Sequence, residues 1–170
     1  MYWIFRLKLL PHLPFLIREA SGIRQKGIKL PSLAENLSLG SGTSTLLILG
    51  ESTAAGVGAS SLEKTLAGNF YRLLGVSWRI ENIGKNGLKA GKAYDYYKNS
   101  APPTSNKISG LVLFLGANDC FKLTAPSVFH QQLENLIDQI SLELNPDWVY
   151  LGSAEKLTDF RFSKLVQNPI

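Results

Sequence analysis

Hydrophobic positions along this chain fall into short unbroken runs that alternate with segments of helical period. Thr45-Leu-Leu-Ile-Leu49 is nearly all apolar and ends at Gly50, the pattern of a central strand buried on both faces. Ser60 and Glu63 are spaced as a capping box around Leu62, and Leu66, Phe70, Leu73 and Leu74 follow before Gly75, which predicts a helix over residues 62–74. Residues 76–82 predict a second strand. Residues 88–98 predict a weaker helix, interrupted by Gly91 and ended by Ala101-Pro102-Pro103. Leu111-Val-Leu-Phe-Leu115 is a third buried strand, stopped at Gly116. Thr124 and Pro126 open the clearest helix, whose Leu133, Leu136, Ile137, Ile140 and Leu144 recur at helical spacing until Asn145-Pro146. Residues 148–151 predict a fourth strand.

Strands and helices that alternate through short connections imply a parallel sheet with helices on both faces, because right-handed crossovers allow little else. The expected class is α/β, a three-layer α/β/α doubly wound fold of flavodoxin-like type. Before it, residues 1–44 read as a basic, apolar leader followed by a Gly/Ser/Thr-rich linker over residues 38–45, so the domain is expected over residues 45–170.

Composition narrows the chemistry. At 170 residues and 45% hydrophobic content, the chain suits one core. Its single cysteine, Cys120, and its two histidines, His12 and His130, offer no disulfide framework and no metal-ligand spacing. The net charge of +5 sits in residues 1–30, where Arg6, Lys8, Arg18, Arg24, Lys26 and Lys29 face Glu19 alone. The remainder is neutral, with no basic footprint for a nucleic acid. Arg6, Lys8, Pro11 and Pro14 break the leader's apolar run, so it is expected to be neither a membrane span nor a cleavable signal. Its aromatics and bases suit peripheral contact with an anionic membrane as well as they suit packing along the domain. The expected location is the cytoplasm or a membrane surface.

A doubly wound sheet carries its functional loops at the carboxyl ends of its strands. Three loops fall there: residues 50–58, 83–87 and 116–119. In the first, Ser52 presents a hydroxyl and a backbone N–H from a small-residue turn. In the second, Gly87 brings a backbone N–H close to a ligand, and in the third Asn118 adds an amide donor. Taken singly, each is better explained as a turn or cap residue. Together, a serine oxygen and converging N–H donors are what the tetrahedral oxyanion of acyl transfer requires. Asp119 reads as a loop brace, Glu51 as a partner for neighbouring backbone, and Tyr94, Tyr96 and Tyr97 as surface and core aromatics.

The order of these blocks resembles the SGNH/GDSL hydrolase family. Leu49-Gly-Glu-Ser-Thr-Ala-Ala-Gly-Val-Gly58 is similar to its GDS block with Glu51 in the usual Asp position, Asn82-Ile-Gly-Lys-Asn-Gly87 to the second block, and Gly116-Ala-Asn-Asp119 to the Gly-x-Asn-Asp block. The resemblance spans about residues 46–151. It implies a serine ester hydrolase with catalytic Ser52, Gly87 and Asn118, needing no cofactor and acting on a small-molecule or lipid ester. The family's Asp-x-x-His block is absent: Leu9 and Ser127 stand three residues before the two histidines. The resemblance therefore implies a member lacking its last strand and helix, impaired as an enzyme, and His130 is expected at the edge of the core rather than as a substitute base. The strand at residues 148–151 would then be an apolar edge inviting self-association. Two other readings stay open, a non-catalytic ligand-binding remnant and a nucleotide-binding α/β module. The second fits poorly, because Ser61 stands where a dinucleotide fingerprint needs its third glycine, and Val57 and Gly58 stand where a P-loop needs Lys and Ser or Thr.

Overall fold

The computed structural model describes residues 30–100 and 107–152. Expectations for the leader, the Ala101-Pro102-Pro103 stop and the segment after Gly152 lie outside those residues. Among the described residues five strands form one sheet: β1 (Leu37–Leu39), β2 (Ser44–Gly50), β3 (Trp78–Gly84), β4 (Gly110–Phe114) and β5 (Val149–Gly152), in the order β1-β3-β2-β4-β5. The last four are parallel to one another, and β1 alone runs antiparallel, against β3. Their order is the doubly wound, flavodoxin-like one, with strand order reversing on either side of β2.

Among the described residues four α-helices lie between the strands: α1 (Leu66–Leu74), α2 (Ala90–Asn99), α3 (Ala117–Phe121) and α4 (Pro126–Leu144). The side-chain alternation of β2 divides the core. Leu46 and Ile48 pack with Ala67 of α1, Ile80 and Val112 on one face. Leu47 and Leu49 pack with Ala93 and Tyr97 of α2 and Leu136, Ile140 and Leu144 of α4 on the other. Complete burial of β2 from Leu46 to Leu49 is why its sequence shows no alternation: both faces are covered.

Several boundaries differ from the sequence reading. Residues 62–64 form a separate 3-10 turn, and α1 begins after Thr65, whose hydroxyl accepts from the Gly68 N–H at 3.1 Å. Its cap is thus Thr65, five residues beyond the expected Ser60. The second strand starts two residues late because the Trp78 N–H bonds the Gly75 carbonyl and holds a turn at the end of α1. Of the leader and linker expected over residues 1–44, residues 31–44 pack with the domain instead. Ala34 is buried, Ala34 N–H donates to the Ala55 carbonyl at 3.0 Å, and Leu37-Ser-Leu39 adds a strand whose leucines pack on the α1 side. Three residues are too few for a period-2 signal to stand out from loop composition.

Candidate active site

All three candidate loops leave neighbouring strands on one edge of the sheet. Gly50 at the end of β2 lies beside Gly84 of β3 and Phe114 of β4, and the pairing continues one step further: Lys85 N–H donates to the Gly50 carbonyl at 3.0 Å, and Glu51 N–H to the Phe114 carbonyl at 2.9 Å. The loop after β2 then turns tightly, with Ala55 N–H on the Glu51 carbonyl and Val57 N–H on that of Ser52. It passes against β3 so closely that a Cβ on Gly84 would stand 2.3 Å from the Ala55 nitrogen. Only glycine fits there. Buried Asn82 of β3 pins the same loop, its amide donating to the carbonyls of Ala54, at 2.9 Å, and Ala34.

Two buried carboxylates join the loops to one another. Glu51 accepts the N–H groups of Ala117 and Asn118, each at 2.9 Å, and also the Asn118 side-chain amide. Ala117 and Asn118 open α3, whose first N–H groups have no partner within the helix, so Glu51 caps it from another loop, where a negative charge is also favoured. Asp119, 2% exposed, does the same for α2: its Oδ2 accepts the Ala90 N–H at 2.9 Å, its Oδ1 accepts the Thr124 hydroxyl at 3.1 Å, and Lys89 Nζ lies 3.9 Å away. Ala90 follows Gly87 by three residues. Asp119 therefore braces the second loop against the third, as expected of it, and Glu51 braces the third against the first, reaching further than the neighbouring backbone.

Ser52 is partly buried, and a cavity of about 400 Å³ opens beside it, lined also by Thr53, Val57, Lys64, Thr65 and Asn69. Among the described residues neither the Ser52 N–H nor its hydroxyl has a hydrogen-bond partner. The same holds for the Gly87 N–H, in an exposed turn at φ 80° with open space where a side chain would stand. Asn118 differs from expectation: one hydrogen of its amide is held by Glu51, leaving the other. Gly87 and Asn118 do not line the cavity beside Ser52, which extends along α1 instead.

His130 lies away from the core edge where the sequence put it. Its side chain is 72% exposed on the first turns of α4, and its Nε2 is 3.1 Å from Glu134 Oε1, one helical turn on. An edge position on the apolar stripe and a surface contact one turn along the helix have the same spacing, so periodicity alone did not separate them. Sequence reasoning also missed the cross-loop capping by Glu51 and the pinning by Asn82. A polar residue inside an apolar strand, as at Asn82, was the available signal.

No protein-family model and no curated protein matches the chain. Solved structures do. AlinE4, an SGNH-hydrolase family esterase, superposes with a TM-score of 0.54 at 20% identity, over 66% of this chain and 59% of that one. Axe2, an acetylxylan esterase from Geobacillus stearothermophilus, gives 0.50 at 12% identity, over 65% and 59%. This chain thus matches less than two thirds of the length of either. What these structures share with it is the parallel sheet and its flanking helices, and the chain therefore has the fold of an SGNH-hydrolase family esterase.

Proposed function

We propose that this chain binds an ester and attacks it through Ser52, with the N–H groups of Ser52 and Gly87 and the remaining amide hydrogen of Asn118 as oxyanion donors. One observation carries the reading: two backbone N–H groups without partners among the described residues stand on adjacent loops at the strand-order reversal, with a serine hydroxyl on one of them. The Gly87 N–H stands in an exposed turn and the Ser52 N–H in a partly buried one, so both are open to a ligand oxygen at the edge where such sheets bind ligands. Attack of Ser52 Oγ on the ester carbonyl places negative charge on the carbonyl oxygen. The donors stabilise that charge, the alcohol leaves, and water releases the acyl group.

Glu51 and Asp119 serve this chemistry by position, fixing the three loops before substrate arrives, so little reorganisation accompanies charge development. The sequence contains no Asp-x-x-His, and His130 stands exposed on α4 beside Glu134. With no Asp-x-x-His in residues 1–170 to supply a base, Ser52 is expected to stay protonated and turnover to fall by a factor on the order of a million, as in triad knockouts. With excess imidazole supplied as an external base, a fluorophosphonate probe tests the reading without needing turnover. Covalent labelling mapped to Ser52 and abolished in Ser52→Ala supports it. Absence of labelling, together with thermal stabilisation by a nucleotide, would replace it with the nucleotide-binding reading.

A further inference from the structure

The turn that carries Ser52 is held from outside by residues 31–34, a stretch of chain that its sequence pattern places before the domain. These residues lie antiparallel to residues 55–58, with Ser32 paired to Val57. Gly58 N–H donates to the Pro31 carbonyl at 3.3 Å, and Ala34 N–H to the Ala55 carbonyl at 3.0 Å. The two backbones come so close that a Cβ on Gly56, at φ 68°, would stand 3.2 Å from that of Ala34 and 2.8 Å from Thr65 Cγ2. Ala34 itself is fully buried.

Asn82 of β3 ties the two stretches together. Its side chain is 1% exposed, and its amide gives one hydrogen to each of two segments, to the Ala34 carbonyl and, at 2.9 Å, to the Ala54 carbonyl. The Oδ1 of the same group is buried with no partner among the described residues, which costs stability. Stability alone therefore does not account for this side chain; it supplies a fixed point where β3, the outer stretch and the Ser52 turn meet. From there the bonding reaches the serine. Val57, paired with Ser32, donates its N–H to the Ser52 carbonyl at 3.0 Å, and Ala55, which accepts from Ala34, donates its own to the Glu51 carbonyl at 2.9 Å.

From this lacing we infer that residues 31–34 and Asn82 form a positioning strap for Ser52, setting the direction of its hydroxyl and N–H without touching substrate. This role rests on the reading of Ser52 as the nucleophile. The loop from Ser52 to Gly58 contains two alanines and two glycines, so it has few side chains with which to hold its own shape, and bonds from outside do so. Attack on a carbonyl needs the reacting atoms aligned at about 3–3.5 Å, and a misplacement of about 1 Å can lower the rate about a hundredfold. The strap thus acts on the rate of attack rather than on the affinity for the ester.

Two measurements on the full chain test the strap. In amide hydrogen exchange, Asn82→Ala should speed exchange of the Ala55 and Val57 N–H groups at least about tenfold. In labelling by a fluorophosphonate, with imidazole as external base, Asn82→Ala should lower the maximal rate at Ser52 by about ten- to a hundredfold and move the half-saturating probe concentration by less than about twofold. Should Asn82→Ala fail to fold, Ala34→Gly, which removes the strap's buried methyl, takes its place and should act in the same direction less strongly. Ile140→Val, which trims the core on the other face of the sheet, should label at the wild-type rate. Three outcomes overturn the inference: unchanged exchange at Ala55 and Val57, a loosened turn that still labels at the wild-type rate, or a rate loss in Ile140→Val equal to that in Asn82→Ala. A wild-type chain that never labels at Ser52 would instead remove the nucleophile reading, and the strap's role with it.

Discussion

The two edges of the sheet use carboxylates in opposite ways. At the edge bearing Ser52, Glu51 and Asp119 are buried and accept backbone N–H groups of other loops. At the other, Glu143 lies between α2 and α4 and accepts only side chains: Lys98 Nζ at 2.9 Å, Tyr94 at 3.2 Å and Tyr97 at 3.4 Å. A backbone amide cannot rotate away, so a carboxylate bonded to it fixes the path of a loop. A lysine partner keeps its freedom and its water, and the pair adds little. The molecule thus places its stiff connections where three loops must keep register and its loose ones where two helices merely end.

The sharpest way to break this comparison is Asp119→Ala. It strands the Ala90 N–H and the Thr124 hydroxyl, and should cost about 3 kcal/mol in urea unfolding with an unchanged denaturant slope. Glu51→Gln comes next, at about 2 kcal/mol, because a glutamine turns an N–H toward donors that a carboxylate accepted. Its loss should be nearly independent of salt, and fluorophosphonate labelling of Ser52 should slow even where the protein remains folded. Thr65→Ala tests a local cap beside these distant ones, at about 1 kcal/mol, whereas Ser60→Ala should be silent.

Glu143→Gln is expected to have the smallest effect, below about 1 kcal/mol, and to fade in high salt. Its pH dependence has a definite sign. The Lys98 hydrogen bond, and with it those of the two tyrosines, hold the Glu143 carboxyl below its ordinary value of 4.5, against a smaller contribution from burial. The pair's stabilisation is therefore present above that value and lost as pH falls through the lowered one. Unfolding curves of wild type and Glu143→Gln should converge in acid. A loss of about 2 kcal/mol at neutral pH that persists in high salt would instead place Glu143 with the stiff carboxylates.

What the sequence made legible follows from where the signals are periodic. Parallel strands buried on both faces write unbroken apolar runs, so β2 and β4 and the order of elements around them could be read directly. The α4 boundaries were equally plain, with Pro126 at its start and Asn145, at φ 40°, capping its end. Ser52, Gly87 and Asn118 were read from block order, and the structure sets their loops side by side on one edge. Legibility failed where a residue's partner is distant in sequence. Glu51 meets Asn118 across 67 positions and Asp119 meets Ala90 across 29, separations that no local pattern records. It failed also at β1, whose three residues take their strand character from β3 rather than from their own alternation.

The proposed convergence of donors around Ser52 is tested most directly by amide NMR of the ¹⁵N-labelled chain before and after phosphonylation. A tetrahedral phosphonate on Ser52 should move the backbone amide signals of Ser52 and Gly87 and the Asn118 side-chain amide downfield together. An adduct at Ser52 that leaves Gly87 and Asn118 unmoved would contradict the account, for the hydroxyl and its supposed donors would then not share a pocket.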